Sequence, residues 1–235
     1  YEKALENIEL FIKYEPDTKS DDIYYRKAVS ENDLGKYNDA LVSISKANDL
    51  NPNNIKFLNE LGYTYYLLKN KDDALQYYDK ALVIDPKSLT ALNGRADVSR
   101  KLKKDHAEAI GLYAKTLVVN PKNIKANYWT GWCYNELGKY SEAIPYLKKV
   151  IEVDDKYVSA YTELGYVDYA LKNYDEALIN FKKAFALEKT ELNLYYTGLC
   201  FIGKKDKAAA IKMMNDLKAQ NSEYAEELQK KIDKM

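Results

Sequence analysis

The sequence predicts an all-α solenoid made of tandem pairs of short helices. Three observations carry that prediction. Prolines recur at a near-constant interval, with Pro16, Pro52, Pro86 and Pro121 separated by 36, 34 and 35 residues. An alanine stands twelve residues before each, at Ala4, Ala40, Ala74 and Ala109, and the series continues without proline at Ala143, Ala177 and Ala210. A small residue marks the first half of each repeat, at Ala28, Gly62, Ala96, Gly131, Gly165 and Gly198. Self-similarity at such a period is the signature of repeat architectures, where each repeat buries its apolar face only against its neighbours.

Residues 1–18 read as the second helix of a partial repeat, because Ala4 and Pro16 sit in that helix's register. Repeats then follow at 21–54, 55–88, 89–123, 124–157, 158–190 and 191–221. The first helix of a repeat is apolar at helical spacing, as Leu58, Leu61, Tyr65 and Leu68 show. The turn after it is built on Gly35-Lys36-Tyr37 or Gly138-Lys139-Tyr140, with glycine as the C-cap. Asn38, Asp72 and Ser141 are N-cap types for the second helix. Its apolar face runs Ala40, Leu41, Ile44 and Ala47 in one repeat and Ala177, Leu178, Phe181 and Ala184 in another. Proline then ends it, since it cannot continue the helix and restricts the residue before it. The third repeat carries one extra residue near Lys103-Lys104-Asp105 and has no glycine in its turn. Pro145 falls near the start of a second helix, where a lost backbone bond costs little. Residues 222–235 place Tyr224, Leu228 and Ile232 at i, i+4 and i+8 among charged residues, the pattern of a capping helix. Tyr1 stands where a second helix begins, with no initiator methionine, so the sequence reads as a piece of a longer chain, with room for a targeting signal before it.

Composition narrows the function. Of 235 residues, 46% are hydrophobic and 31% charged, and 36 basic side chains balance 36 acidic ones. A net charge of zero argues against nucleic acid, whose binding rests on phosphate neutralisation. No apolar stretch reaches the ~20 residues of a membrane span. Two cysteines make no disulfide framework; unpaired, they fit the cytoplasm. A single histidine, His106, argues against a histidine metal site or a Ser-His-Asp triad, and it reads as a surface residue. There is no phosphate loop, nucleophile elbow or metal-ligand spacing. The expectation is therefore no catalytic residue, no cofactor and no metal. What stands out is the 23 tyrosines.

At these positions the sequence resembles the tetratricopeptide repeat family. The family's small, aromatic, alanine and proline positions stand here as Gly62, Tyr65, Ala74, Tyr78, Ala81 and Pro86, and as Gly131, Tyr134, Gly138, Tyr140, Ala143 and Leu147. The resemblance runs from about residue 1 to residue 221. It implies a right-handed α-solenoid whose first helices line a concave groove that holds a peptide or an extended segment of another protein. The positions it points into that groove are Tyr25, Arg26 and Asn32; Asn59, Glu60, Tyr63 and Tyr66; and Asn93, Asp97 and Arg100. The later repeats add Tyr128, Trp129, Trp132 and Asn135; Thr162, Glu163, Tyr166 and Tyr169; and Tyr195 and Tyr196. Rings with a polar tip give large contact area for little rotamer entropy, which suits recognition.

Ten other tyrosines hold the family's packing positions: Tyr1, Tyr24, Tyr37, Tyr65, Tyr78, Tyr113, Tyr134, Tyr140, Tyr161 and Tyr174. Cys133 and Cys200 take a small interior position, as buried thiols. A chaperone-tail carboxylate clamp needs Lys/Asn, Asn and Lys/Arg over three consecutive first helices. Tyr25 with Val29, Asn59 with Tyr63, and Tyr128 with Trp132 stand at those places, so no such partner is expected. The resulting expectation is a protein-binding scaffold or adaptor. The alternative is a structural spacer or self-assembling, homo-oligomeric module of a longer multidomain protein, in which the groove rings are only packing.

Overall fold

The computed structural model describes residues 1–16 and 18–235; Asp17, within the partial repeat expected at 1–18, lies outside the described residues. All regular elements among the described residues are helical. The chain divides into two compact units, Tyr1–Val119 and Asn120–Met235. The first holds α1 (Glu2–Tyr14), α2 (Asp21–Asp33), α3 (Tyr37–Leu50), α4 (Ile55–Leu67), α5 (Lys71–Ile84), α6 (Leu89–Asp97), a π-helical turn (Val98–Lys103) and α7 (His106–Val119). The second holds α8 (Ile124–Glu136), α9 (Tyr140–Val153), α10 (Val158–Ala170), α11 (Tyr174–Leu187), α12 (Glu191–Gly203), α13 (Lys207–Ala219) and α14 (Tyr224–Ile232). No helix of the described residues is long and apolar enough to cross a membrane.

The small-residue series marks the seam where the two helices of a repeat cross. A Cβ added at Gly62 would lie 2.8 Å from the Tyr78 ring, at Gly131 2.7 Å from Leu147, and at Gly165 2.8 Å from Phe181. The filling residue comes sixteen positions later on the second helix. Ala28 shares a buried cluster with Ile44 sixteen positions on, and Ala96 and Tyr113, both fully buried, stand one place further apart because this repeat has the extra residue. In the last repeat the partner changes: Gly198 faces Leu228 of α14, which with Ile232 is fully buried. α14 is thus the capping helix, and Tyr224 stacks on Tyr195 at 4.9 Å.

The extra residue is absorbed by the π-helical turn, the standard outcome of a one-residue insertion in a helix. The turns between paired helices depend on one left-handed residue. It is Gly35 (φ 75°) or Gly138 (φ 70°), and elsewhere Lys69, Lys104, Lys172 or Lys205.

Four local expectations are corrected. Glycine is not the C-cap itself; Leu34 and Leu137 cap α2 and α8, and glycine follows as the left-handed residue. Asn38, Asp72 and Ser141 are already inside the first turn, the caps being Lys36, Asn70 and Lys139, because the tight turn lets the helix begin at once. Pro145 stands sixth in α9, past the first turn, where its missing N–H removes a bond the helix would otherwise make. Tyr1 does not pack: it is 72% exposed, having no helix beside it.

Candidate functional site

In the second unit α8, α10 and α12 carry the residues expected there, and part of that set borders one cavity. Between them and the start of α9 lies a cavity of about 700 Å³, bordered by Asn135, Glu136, Leu137, Gly138, Tyr140, Thr162, Glu163, Tyr166, Leu192 and Tyr196. Asn135 Nδ2 donates to Glu163 Oε2 at 2.8 Å, tying α8 to α10. Burial holds the Glu163 carboxyl above its usual range; the Asn135 hydrogen bond opposes this and nearby Glu136 adds to it. Tyr196 meets Tyr166 edge to face at 5.4 Å and Tyr169 at 6.0 Å. Burial pushes the Tyr196 hydroxyl up to about 12, with Tyr166, Tyr169 and Glu163 contributing. Trp129 and Trp132, both half-buried, meet at right angles 5.7 Å apart on α8.

The first unit repeats part of this arrangement on α2 and α4. Asn32 Nδ2 donates to Glu60 Oε1 at 2.7 Å and to Thr64 Oγ1 at 2.8 Å. Burial again raises the Glu60 carboxyl, with Asp33 reinforcing it against the Asn32 bond. Tyr25 packs on Phe57 at 5.4 Å, and Tyr63 stacks with Tyr66 at 6.3 Å.

Of the residues expected in the groove, seven are engaged inside the fold, Asn32 among them, buried on Glu60 and Thr64. Asn93 is buried and accepts from Thr116 at 3.1 Å. The Arg100 side chain is 10% exposed, pairs with Asp97 at 3.4 Å and donates to the Tyr113 hydroxyl at 3.2 Å. Tyr113 in turn donates to Asp97, so the π-helical turn closes on a buried Asp-Arg-Tyr triad where a solvated arginine was expected. Tyr128 is buried between Trp129 and Tyr157. Asn135 is buried, with its amide N–H donated to Glu163. Tyr195 is buried under α14, where it donates to Glu227.

The others stay accessible. Arg26, its side chain 69% exposed, pairs with Asp22 at 2.7 Å. Tyr63 is exposed, and Tyr25, Asn59, Tyr66, Trp129, Trp132, Tyr166 and Tyr169 are half-buried. Both cysteines are buried as expected, and burial pushes the Cys200 thiol up to about 12. His106 is half-buried at the start of α7.

Glu136, Leu137, Gly138, Tyr140 and Leu192 border the cavity without being among the groove positions expected from the sequence. One signal was present: Asn32 and Glu60 are separated by the same 28 residues as Asn135 and Glu163.

Comparison with known proteins adds to this geometry. Profiles described as tetratricopeptide repeat match residues 21–54, 55–88 and 193–223. A profile for anaphase-promoting complex, cyclosome, subunit 3 matches residues 102–184. No curated protein matches the chain. Among solved structures, PilW, a widely conserved type IV pilus biogenesis factor, is similar with a TM-score of 0.75 at 22% identity, over 89% of this chain and 98% of that one. Pseudomonas aeruginosa pilF gives 0.75 at 18% identity, over 89% and 96%. MamA gives 0.61 at 25% identity, over 72% and 92%.

Proposed function

Since the chain belongs to the tetratricopeptide repeat family, whose repeats generally act as protein-interaction scaffolds, we propose that it holds an extended segment of a partner protein against its first helices. The observation that carries this reading is a set of rings left partly open: Tyr166 and Tyr196 at the border of the cavity, Tyr169 against Tyr196, and Trp132 on α8. A fold that needed these rings only for packing gains by burying them, as it buries Tyr78, Tyr113 and Phe181. Open aromatic rings next to backbone-bonding polar groups are what an extended peptide uses for anchorage. Such a scaffold works by positioning a partner, without turnover.

The test compares affinity capture by wild type and by a Trp129→Ala/Trp132→Ala/Tyr166→Ala variant whose helical circular dichroism is intact. A partner held by wild type and lost from the variant is the expected result. Identical captures overturn the reading.

A second reading, self-association, has its own observation. α1 leaves Leu10, Phe11 and Tyr14 exposed and buries only Leu5. It is favoured if sedimentation finds an oligomer that Phe11→Glu returns to monomer.

A further inference from the structure

We propose that the cavity of the second unit receives a cationic side chain, lysine or arginine, carried on the partner's extended segment. This inference rests on the binding reading above and gives the chemistry that the site selects. Glu163 supplies the charge: one carboxylate oxygen is held by Asn135, and among the described residues that border the cavity none is a basic side chain to pair with it. Glu136 adds a second negative charge at the border. Tyr140, Tyr166 and Tyr196 line the same space, and tyrosine rings attract cations to their faces. Asn135 is 8% exposed, and its Oδ1 accepts no hydrogen bond. The cavity wall therefore contains a buried acceptor with no donor.

These features select one class of occupant. A half-desolvated carboxylate without a counter-charge is costly, and an entering ammonium or guanidinium offsets that cost. Its N–H groups also supply a donor for Asn135 Oδ1 and a further one for the Glu163 carboxylate. An apolar side chain meets neither need, and an acidic one is repelled by both glutamates. The first unit supports the same logic independently. Glu60 is tied to Asn32 at the same sequence interval and lies beside Tyr25 and Tyr63. The charge of Asp33 also reaches it.

The experiment pans a random dodecapeptide library on the full chain, then titrates the selected peptides against wild type and Glu163→Gln by fluorescence polarisation. Selected peptides are expected to carry Lys or Arg and to bind Glu163→Gln about tenfold more weakly, or worse. They are also expected to lose affinity when that residue becomes norleucine or citrulline, and as salt is raised. Glutamine keeps the shape of the side chain and an oxygen for Asn135. An unchanged helical spectrum and a urea midpoint no lower than wild type at pH 7 therefore separate loss of charge from loss of fold. Peptides without basic residues, or with equal affinity for both proteins, overturn the cationic assignment and leave the groove reading standing. If no peptide binds wild type, the groove reading falls and takes this inference with it. A peptide-free dimer that Glu163→Gln abolishes identifies a second copy's lysines as the occupant and overturns assignment to a different partner.

Discussion

At Gly165 an added Cβ would lie 2.8 Å from the Phe181 ring, whereas at Gly111 it would meet nothing within 4 Å. The two residues look alike in the sequence, yet only the first is a seat for a ring. Gly165→Ala is expected to cost about 1–3 kcal/mol by overpacking the crossing of α10 and α11. Gly111→Ala, on an exposed side of α7, should instead add about 0.5–1 kcal/mol by lowering backbone entropy. Urea midpoints of the two variants check the pair, and equal shifts contradict the seat. The buried glutamates give a second expectation. Burial lifts the Glu163 carboxyl above the ordinary 4.5, so near that pH the folded chain binds its proton more tightly than the unfolded chain does. Its favourable contribution is therefore complete below pH 4.5 and is lost as pH rises through the higher folded value. Glu163→Gln escapes that loss. It should match wild type in acid and become the more stable protein as pH approaches 7, in urea titrations across the range.

At the scale of elements, the helices follow from where small residues, left-handed turn residues and prolines fall. The register was legible because a helix crossing tolerates only Gly or Ala at its closest point, and that demand recurs at every repeat. The ends of the helices were less so. Lysine takes the left-handed turn position in four repeats, which local propensity assigns to glycine, and the backbone bonds of the turn outweigh that preference. The π-helical turn was foreshadowed only by an extra residue, with nothing to say that Arg100 would turn inward to Asp97 and Tyr113. Pro145 is an exposed residue inside α9 with no function in its packing evident. Pro145→Ala restores one backbone hydrogen bond and is expected to raise stability by about 1–3 kcal/mol, read as an increase in urea midpoint. No change would mean that α9 already relaxes around the ring.

At the scale of the whole molecule, the candidate site was half legible. Helical spacing gives the direction of a side chain around its axis, and of the positions it picks out Asn135, Thr162, Glu163, Tyr166 and Tyr196 border one cavity. It does not say whether a neighbouring helix reaches across. Tyr195 points the same way by spacing but lies under α14, and Asn93 and Asn135 are occupied by partners 23 and 28 residues away. Long-range pairing of this kind has no local signature. The seat at Gly198 has one more consequence. In the other repeats the second helix fills its own seat, but here Leu228 of α14 does so, and a further helix pair could not follow α13 in register without evicting it. The array is closed at that point in the way a chain-terminating group closes a polymer. Lengthening by duplication would then have to copy repeats from the interior, leaving α12, α13 and α14 together as an inherited end piece.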